Sequence, residues 1–212
     1  MLTKIKNELI YLSTLRRILS SLKSINNDES AIITKKIAGY ADSAPDSVAI
    51  YFEDKEITYR ELINGANQYS HWFLDNGLQK GDVVALLMEN RPEFLMAWIG
   101  IAQVGGTSAL INTNLTGHPL NHSLSISGAS KLILGKELIS NFETTDDTVK
   151  GSFQVWVEGD INKQDYNNLG LTLENLSIVM PAIDYDVTNE DVALYIYTSG
   201  CLLYTSPSPR DS

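Results

Sequence analysis

The sequence predicts an α/β domain, a parallel sheet with flanking helices, preceded by an amphipathic helix. Three observations predict it. Apolar runs of strand length recur at residues 83–88, 108–112 and 131–134. Helical stretches of about ten to fifteen residues separate them, the pattern of βαβ units whose strands run parallel. The first run, Val-Val-Ala-Leu-Leu-Met, is apolar throughout rather than alternating, which suits a strand covered on both faces.

The elements follow in order. Ile5, Leu9, Leu12, Leu15, Ile18, Leu19 and Leu22 recur at spacings of three and four with Lys6, Arg16, Arg17 and Lys23 around them, which predicts an amphipathic helix over 5–22. Such a helix fits the headgroup layer of a lipid surface, and equally fits packing on its own domain. Asn26, Asn27, Asp28, Glu29 and Ser30 form a polar break, so residues 1–30 are set apart and the main domain is expected over 31–200, opening with a helix that ends around 39–43. Residues 49–53 and 56–58 read as a hairpin about the turn Asp54-Lys55. Thr58 with Glu61 three residues on has capping-box spacing, and Leu62, Ala66, Tyr69 and Phe73 would face the core of the helix that follows.

Gly77 stops that helix and Gly81-Asp82 turns into the 83–88 strand. Asn90-Arg91-Pro92-Glu93 stands where a strand ends and a helix begins, the position at which open α/β sheets place ligands, but the favoured reading is capping by Asn90 with Pro92 in the first turn of a helix that Gly105-Gly106 closes. Thr116-Gly117 starts a helix that runs through Leu120 and Leu124 to Gly128. From 135 to 183 the periodicity weakens, with one strand at 153–158, and the stretch is read as a variable insertion. Residues 192–197 form a last strand that runs directly into Thr198-Ser199-Gly200.

Composition narrows the function. The formal charge of -10 argues against nucleic acid, whose phosphates are bound through surplus Lys and Arg. The charge is uneven: residues 1–36 hold seven basic and three acidic side chains, leaving nine against twenty-three in the remainder. The single cysteine, Cys201, gives no disulfide framework and fits a reducing compartment. No apolar run reaches the roughly 18 to 20 residues of a membrane-spanning helix, and no signal peptide is evident. His118 and His122 stand four apart without an accompanying acidic base, so helix-end hydrogen bonding is expected there rather than a metal site. His71, beside Trp72, is read as a surface or packing residue.

Residues 201–212, Cys-Leu-Leu-Tyr-Thr-Ser-Pro-Ser-Pro-Arg-Asp-Ser, hold two of the six prolines and the only cysteine, and continue no helix or strand. They resemble translated adapter sequence, so a non-native tail is expected; the alternative is a genuine Pro- and Ser-rich terminus.

Three segments together resemble the adenylate-forming (AMP-binding) acyl-CoA synthetases: Thr58-Tyr59-Arg60-Glu61-Leu62, the stretch from Gly81 through Asn90-Arg91-Pro92-Glu93, and Tyr195-Ile196-Tyr197-Thr198-Ser199-Gly200. Ala109-Leu110-Ile111-Asn112-Thr113-Asn114-Leu115, with Gly117 and Pro119-Leu120 after it, is similar to the fatty acid transport protein and very-long-chain acyl-CoA synthetase branch. The resemblance implies a ligase that uses ATP, Mg2+ and coenzyme A to convert a fatty acid first to an acyl-adenylate and then to a thioester. It implies that Thr198, Ser199 and Gly200 begin the loop around the ATP phosphates, written YTSGTTGxPK in the family. Here Cys201 stands at the next position and the rest of the loop is missing, so the chain by itself is expected to be an inactive N-terminal fragment of a protein at a cytosol-facing membrane surface. Rival readings are a ligase for an aryl or amino acid, and a membrane-associated fatty acid uptake or binding protein.

A small-residue loop after a strand suits phosphate on physical grounds too. Backbone N–H groups and the Thr198 and Ser199 hydroxyls offer donors, and Gly200 permits close backbone approach.

Overall fold

The computed structural model describes residues 33–160 and 166–197. The predicted helix over 5–22, the loop residues Thr198, Ser199 and Gly200, and the 201–212 tail lie outside the described residues.

Helix α1 (Ile33–Ser43) leads into an antiparallel hairpin of β1 (Val48–Phe52) and β2 (Lys55–Thr58). Thr58 then caps α2 (Tyr59–Asp75): its Oγ1 accepts from Glu61 N at 3.2 Å while its own N donates to Glu61 Oε2 at 2.8 Å. The expected core positions Leu62, Ala66, Tyr69 and Phe73 are all buried. Next come β3 (Val83–Leu87), α3 (Pro92–Gln103), β4 (Thr107–Leu110), α4 (Gly117–Ile126) and β5 (Lys131–Gly135). The chain continues through a 3-10 turn at Lys136–Leu138, α5 (Ile139–Phe142), α6 (Asp147–Gly151), β6 (Gln154–Glu158), β7 (Asn167–Asn168) and α7 (Leu169–Leu173). The last described strand is β8 (Leu194–Ile196).

Six strands form one sheet in the order β7-β6-β5-β3-β4-β8, and every neighbouring pair is parallel. The unbroken apolar run in β3 has its explanation here. Val84 and Leu86 face one core with Tyr69, Trp72, Phe73 and Ile101. Ala85 and Leu87 face another with Leu120, Leu124, Leu132 and Phe142. A strand between two apolar layers has no solvated face to mark with polar residues. Each large side chain so buried contributes about 1.5–3 kcal/mol of transfer free energy.

A third, smaller cluster joins Leu62, Ala66 and Ile99 to Ala49, Ile50 and Ile57 of the hairpin, which seats the hairpin on α2 and α3. The two helices approach closely because Gly100 carries no side chain: a Cβ there would stand 2.7 Å from both Ala66 O and Tyr69 Cβ.

Two expectations need correction. The 135–183 stretch is no separate insertion, since it supplies β6 and β7 to the sheet and buries Phe142, Val157, Leu169 and Leu173 in its cores. β7 is made of two asparagines, Asn167 and Asn168, which carry no apolar strand signal. Asn90 does not cap α3 either; the cap position is Arg91, with no side-chain hydrogen bond, and Pro92 sits in the first turn.

Candidate functional site at the carboxyl end of the sheet

In an open parallel sheet, ligands gather outside the carboxyl ends of the strands, where the strand order reverses. Here that point is β3, with β4 on one side and β5 on the other. β8 lies beyond β4, paired through Ser108↔Leu194, Ala109↔Tyr195 and Leu110↔Ile196. The strand therefore ends at the same end of the sheet as β3, β4 and β5. Tyr197, the last described residue, packs against the core that holds Ala85, Leu87 and Ile111. Thr198, Ser199 and Gly200 themselves remain outside the described residues, and their phosphate role is taken up below as a proposal.

A second group of side chains at this end was not foreseen as a unit. The Tyr69 hydroxyl donates to Glu158 Oε2 at 2.8 Å, and Arg91 Nη2 donates to the Glu158 backbone carbonyl at 3.0 Å. The Arg91 guanidinium also stands 3.8 Å from Glu137 and 3.9 Å from Glu93, while Glu137 Oε1 accepts from Glu89 N at 3.0 Å. Burial raises the Glu158 pKa, against the lowering effect of the Tyr69 hydrogen bond and the Arg91 charge. Burial likewise pushes the Tyr69 phenol well above its ordinary value, with the Glu158 charge adding to the shift.

Three carboxylates surround one guanidinium in this group, a balance that repels a polyphosphate rather than holding one. What the group does is tie α2, the start of α3 and the ends of β5 and β6 together. Sequence reading placed Arg91 and Glu93 at the strand-to-helix junction but took Tyr69 as a plain core residue and passed over Glu158. The available signal was a carboxylate ending the otherwise apolar Val155-Trp156-Val157 run.

The other candidates take ordinary structural roles. His71 Nε2 donates to Val179 O at 2.8 Å, a packing contact as expected. His118 is exposed on α4 and His122 is half-buried. Among the described residues no group of three or more His, Cys, Asp or Glu side chains is arranged to hold a metal ion. Also among the described residues, no helix is long and apolar enough to cross a membrane.

The model of the family described as AMP-binding enzyme matches residues 38–201. Long-chain fatty acid transport protein 6 of Mus musculus is 28% identical over 175 residues, covering 81% of this chain and 28% of that protein. Medium/long-chain-fatty-acid–CoA ligase FadD6 of Mycobacterium tuberculosis is 30% identical over 156 residues, covering 73% of this chain and 25% of that protein. Among solved structures, the anthranilate CoA ligase AuaEII in complex with anthranoyl-AMP superposes with a TM-score of 0.71 at 22% identity, covering 85% of this chain and 34% of that one. The chain thus spans 25% to 34% of the length of these proteins.

Proposed function

We propose, given that the chain belongs to the AMP-binding enzyme family, that residues 31–200 are the N-terminal part of a long-chain or very-long-chain fatty acid–CoA ligase. In the whole protein a fatty carboxylate oxygen attacks the α-phosphorus of ATP, and the bond to pyrophosphate breaks. The thiol of coenzyme A then attacks the acyl carbon, and AMP leaves.

The observation that carries this reading is the family match over residues 38–201 together with β8, whose carboxyl end lies beside that of β4 in a parallel sheet. Thr198 and Ser199 hydroxyls and the Gly200 backbone N–H are assigned to the leaving pyrophosphate, whose concentrated charge such donors stabilise. Mg2+ is assigned, as the family resemblance implies, to the ATP phosphates, where it would offset the charge of the leaving pyrophosphate. Residues 201–212 are assigned to a non-native tail, and the chain by itself to an inactive fragment. The basic amphipathic segment at 5–22 is assigned to peripheral contact with a cytosol-facing membrane.

A second reading, fatty acid uptake with little catalysis, draws on relatives whose names describe transport. One experiment separates the two. The coding sequence is extended past Gly200, expressed, and assayed with palmitate for AMP and acyl-CoA formation. ATP- and coenzyme A-dependent thioester formation supports the ligase. Uptake that survives with no thioester formed, or a preference for benzoate or an amino acid over palmitate, overturns it.

A further inference from the structure

Helix α1, one face of α2, the end of α3 and the segment 180–187 enclose a cavity of about 520 Å³, a volume within the range of small-molecule sites. Its walls are apolar: Ala38 of α1, Ile63 of α2, and Met180, Ile183 and Val187 of the returning segment. Three polar side chains also line it, and each is nearly inaccessible to water. Thr34 is 4% exposed, Asn67 5% and Gln103 8%.

Buried amides are costly unless their donors and acceptors are filled. Here two of them are filled by half. Gln103 Oε1 accepts from the Ser70 hydroxyl at 2.8 Å, which orients the amide and leaves Nε2 with no partner among the described residues. Asn67 Nδ2 donates to Ile178 O at 2.7 Å, while its buried Oδ1 has no partner. One unfilled donor and one unfilled acceptor thus border the same cavity, each fixed by the hydrogen bond that its amide makes on the other side.

The outer wall is anchored at several points. Val179 O accepts from His71 Nε2 at 2.8 Å, and Tyr185 OH donates to Val104 O at 2.9 Å. With the Asn67 bond to Ile178 O, these contacts tie the segment to α2 and to the end of α3 on either side of Met180 and Ile183.

Charge narrows what fits. The charged residues that line the cavity are Lys35, Asp42 and Asp186, all exposed and one positive against two negative, a balance that disfavours a carboxylate or a phosphate. The buried polar groups are neutral, so a full positive charge would find no buried carboxylate to pair with.

We propose that this cavity binds a small uncharged molecule made of a compact apolar body and a carboxamide group. The ligand carbonyl accepts from Gln103 Nε2, its N–H donates to Asn67 Oδ1, and the Thr34 hydroxyl adds a third polar contact. The apolar body rests against Ile63, Met180 and Ile183. No step of the ligase reading uses these residues, so the two proposals stand or fall separately.

The test uses the protein extended past Gly200, labelled with 13C at the Ile and Met methyls and titrated with cyclohexanecarboxamide. The Ile63, Met180 and Ile183 methyls should shift saturably with a Kd at or below about 1 mM, while those of Ile101 and Ile133 in the core stay in place. Cyclohexanecarboxylate, of the same shape but charged, should bind at least about tenfold more weakly. Ala38→Phe places a ring in the cavity and should abolish the shifts. Thr34→Val keeps the size, removes only the hydroxyl, and should raise the Kd about threefold with the Ile101 and Ile133 methyls unmoved, so it serves even if the Phe variant folds poorly. Methyls that do not shift, equal affinity for the carboxylate, or a Kd unchanged in both variants would overturn the proposal.

Discussion

The hydroxyl of Tyr69, on α2, donates a 2.8 Å hydrogen bond to the carboxylate of Glu158, the last residue of β6 and 89 positions away in the chain. Glu158 is only 7% exposed, so the bond replaces water that the carboxyl group cannot reach. Tyr69→Phe should therefore destabilise the domain by about 1–3 kcal/mol, the cost of leaving a buried acceptor short of its partner. Urea unfolding of the two proteins measures it. Glu158→Gln keeps an acceptor for the hydroxyl and should cost less than Tyr69→Phe; the reverse order would mean that the charge, not the bond, matters.

The same carboxyl group gives a pH dependence of defined sign. Its folded pKa is raised from the ordinary 4.5, chiefly by burial, so between 4.5 and the folded value the native state holds a proton that the unfolded chain has released. The contribution of Glu158 to stability is greatest below 4.5 and falls as pH rises through the folded pKa. Urea midpoints measured from acid to neutral pH should show wild type losing stability relative to Glu158→Gln across that window. A difference that is flat with pH would place the group at its ordinary pKa.

Glu61 should titrate in the opposite sense. Its hydrogen bonds from the Thr58 backbone N–H and hydroxyl lower its pKa, so the stability it confers is present above 4.5 and lost as pH falls through the folded value. Thr58→Ala removes the side-chain half of the capping box and should cost about 1 kcal/mol by thermal or urea unfolding at neutral pH. The loss should shrink in acid, where Glu61 is protonated.

Two glycines in helices predict opposite outcomes for one substitution. Gly100→Ala drives a methyl to 2.7 Å from Ala66 O and Tyr69 Cβ, and should lower stability by about 1–3 kcal/mol as α3 is pushed from α2. Gly39→Ala meets nothing within 4 Å in α1 and should raise it by about 0.5–1 kcal/mol through reduced freedom of the unfolded chain. Melting temperatures of the two variants that move in the same direction would contradict the packing described for α2 and α3.

Most of the architecture was legible because local physics fixes it. The Thr58–Glu61 capping box, Pro92 at the start of α3 and the apolar run in β3 each depend on residues a few positions apart, and each took its expected form. By itself the sequence determined the parallel α/β class, the described elements from residue 33 to 135 with the strands expected at 153–158 and 192–197, and the family that the motifs at 58–62, 81–93 and 195–200 resemble. Only the tertiary structure decided that 135–183 joins the sheet, because the strand expected at 153–158 shows no partner in the sequence and the two-residue β7 is recognisable only through its pairing with β6. It alone brought Tyr69 to Glu158 and Lys80 to Asp191, pairs separated by 89 and 111 positions. Such contacts leave no periodic trace in a sequence, since hydrogen bonds and ion pairs depend on where the chain returns in space rather than on the spacing of residue types along it.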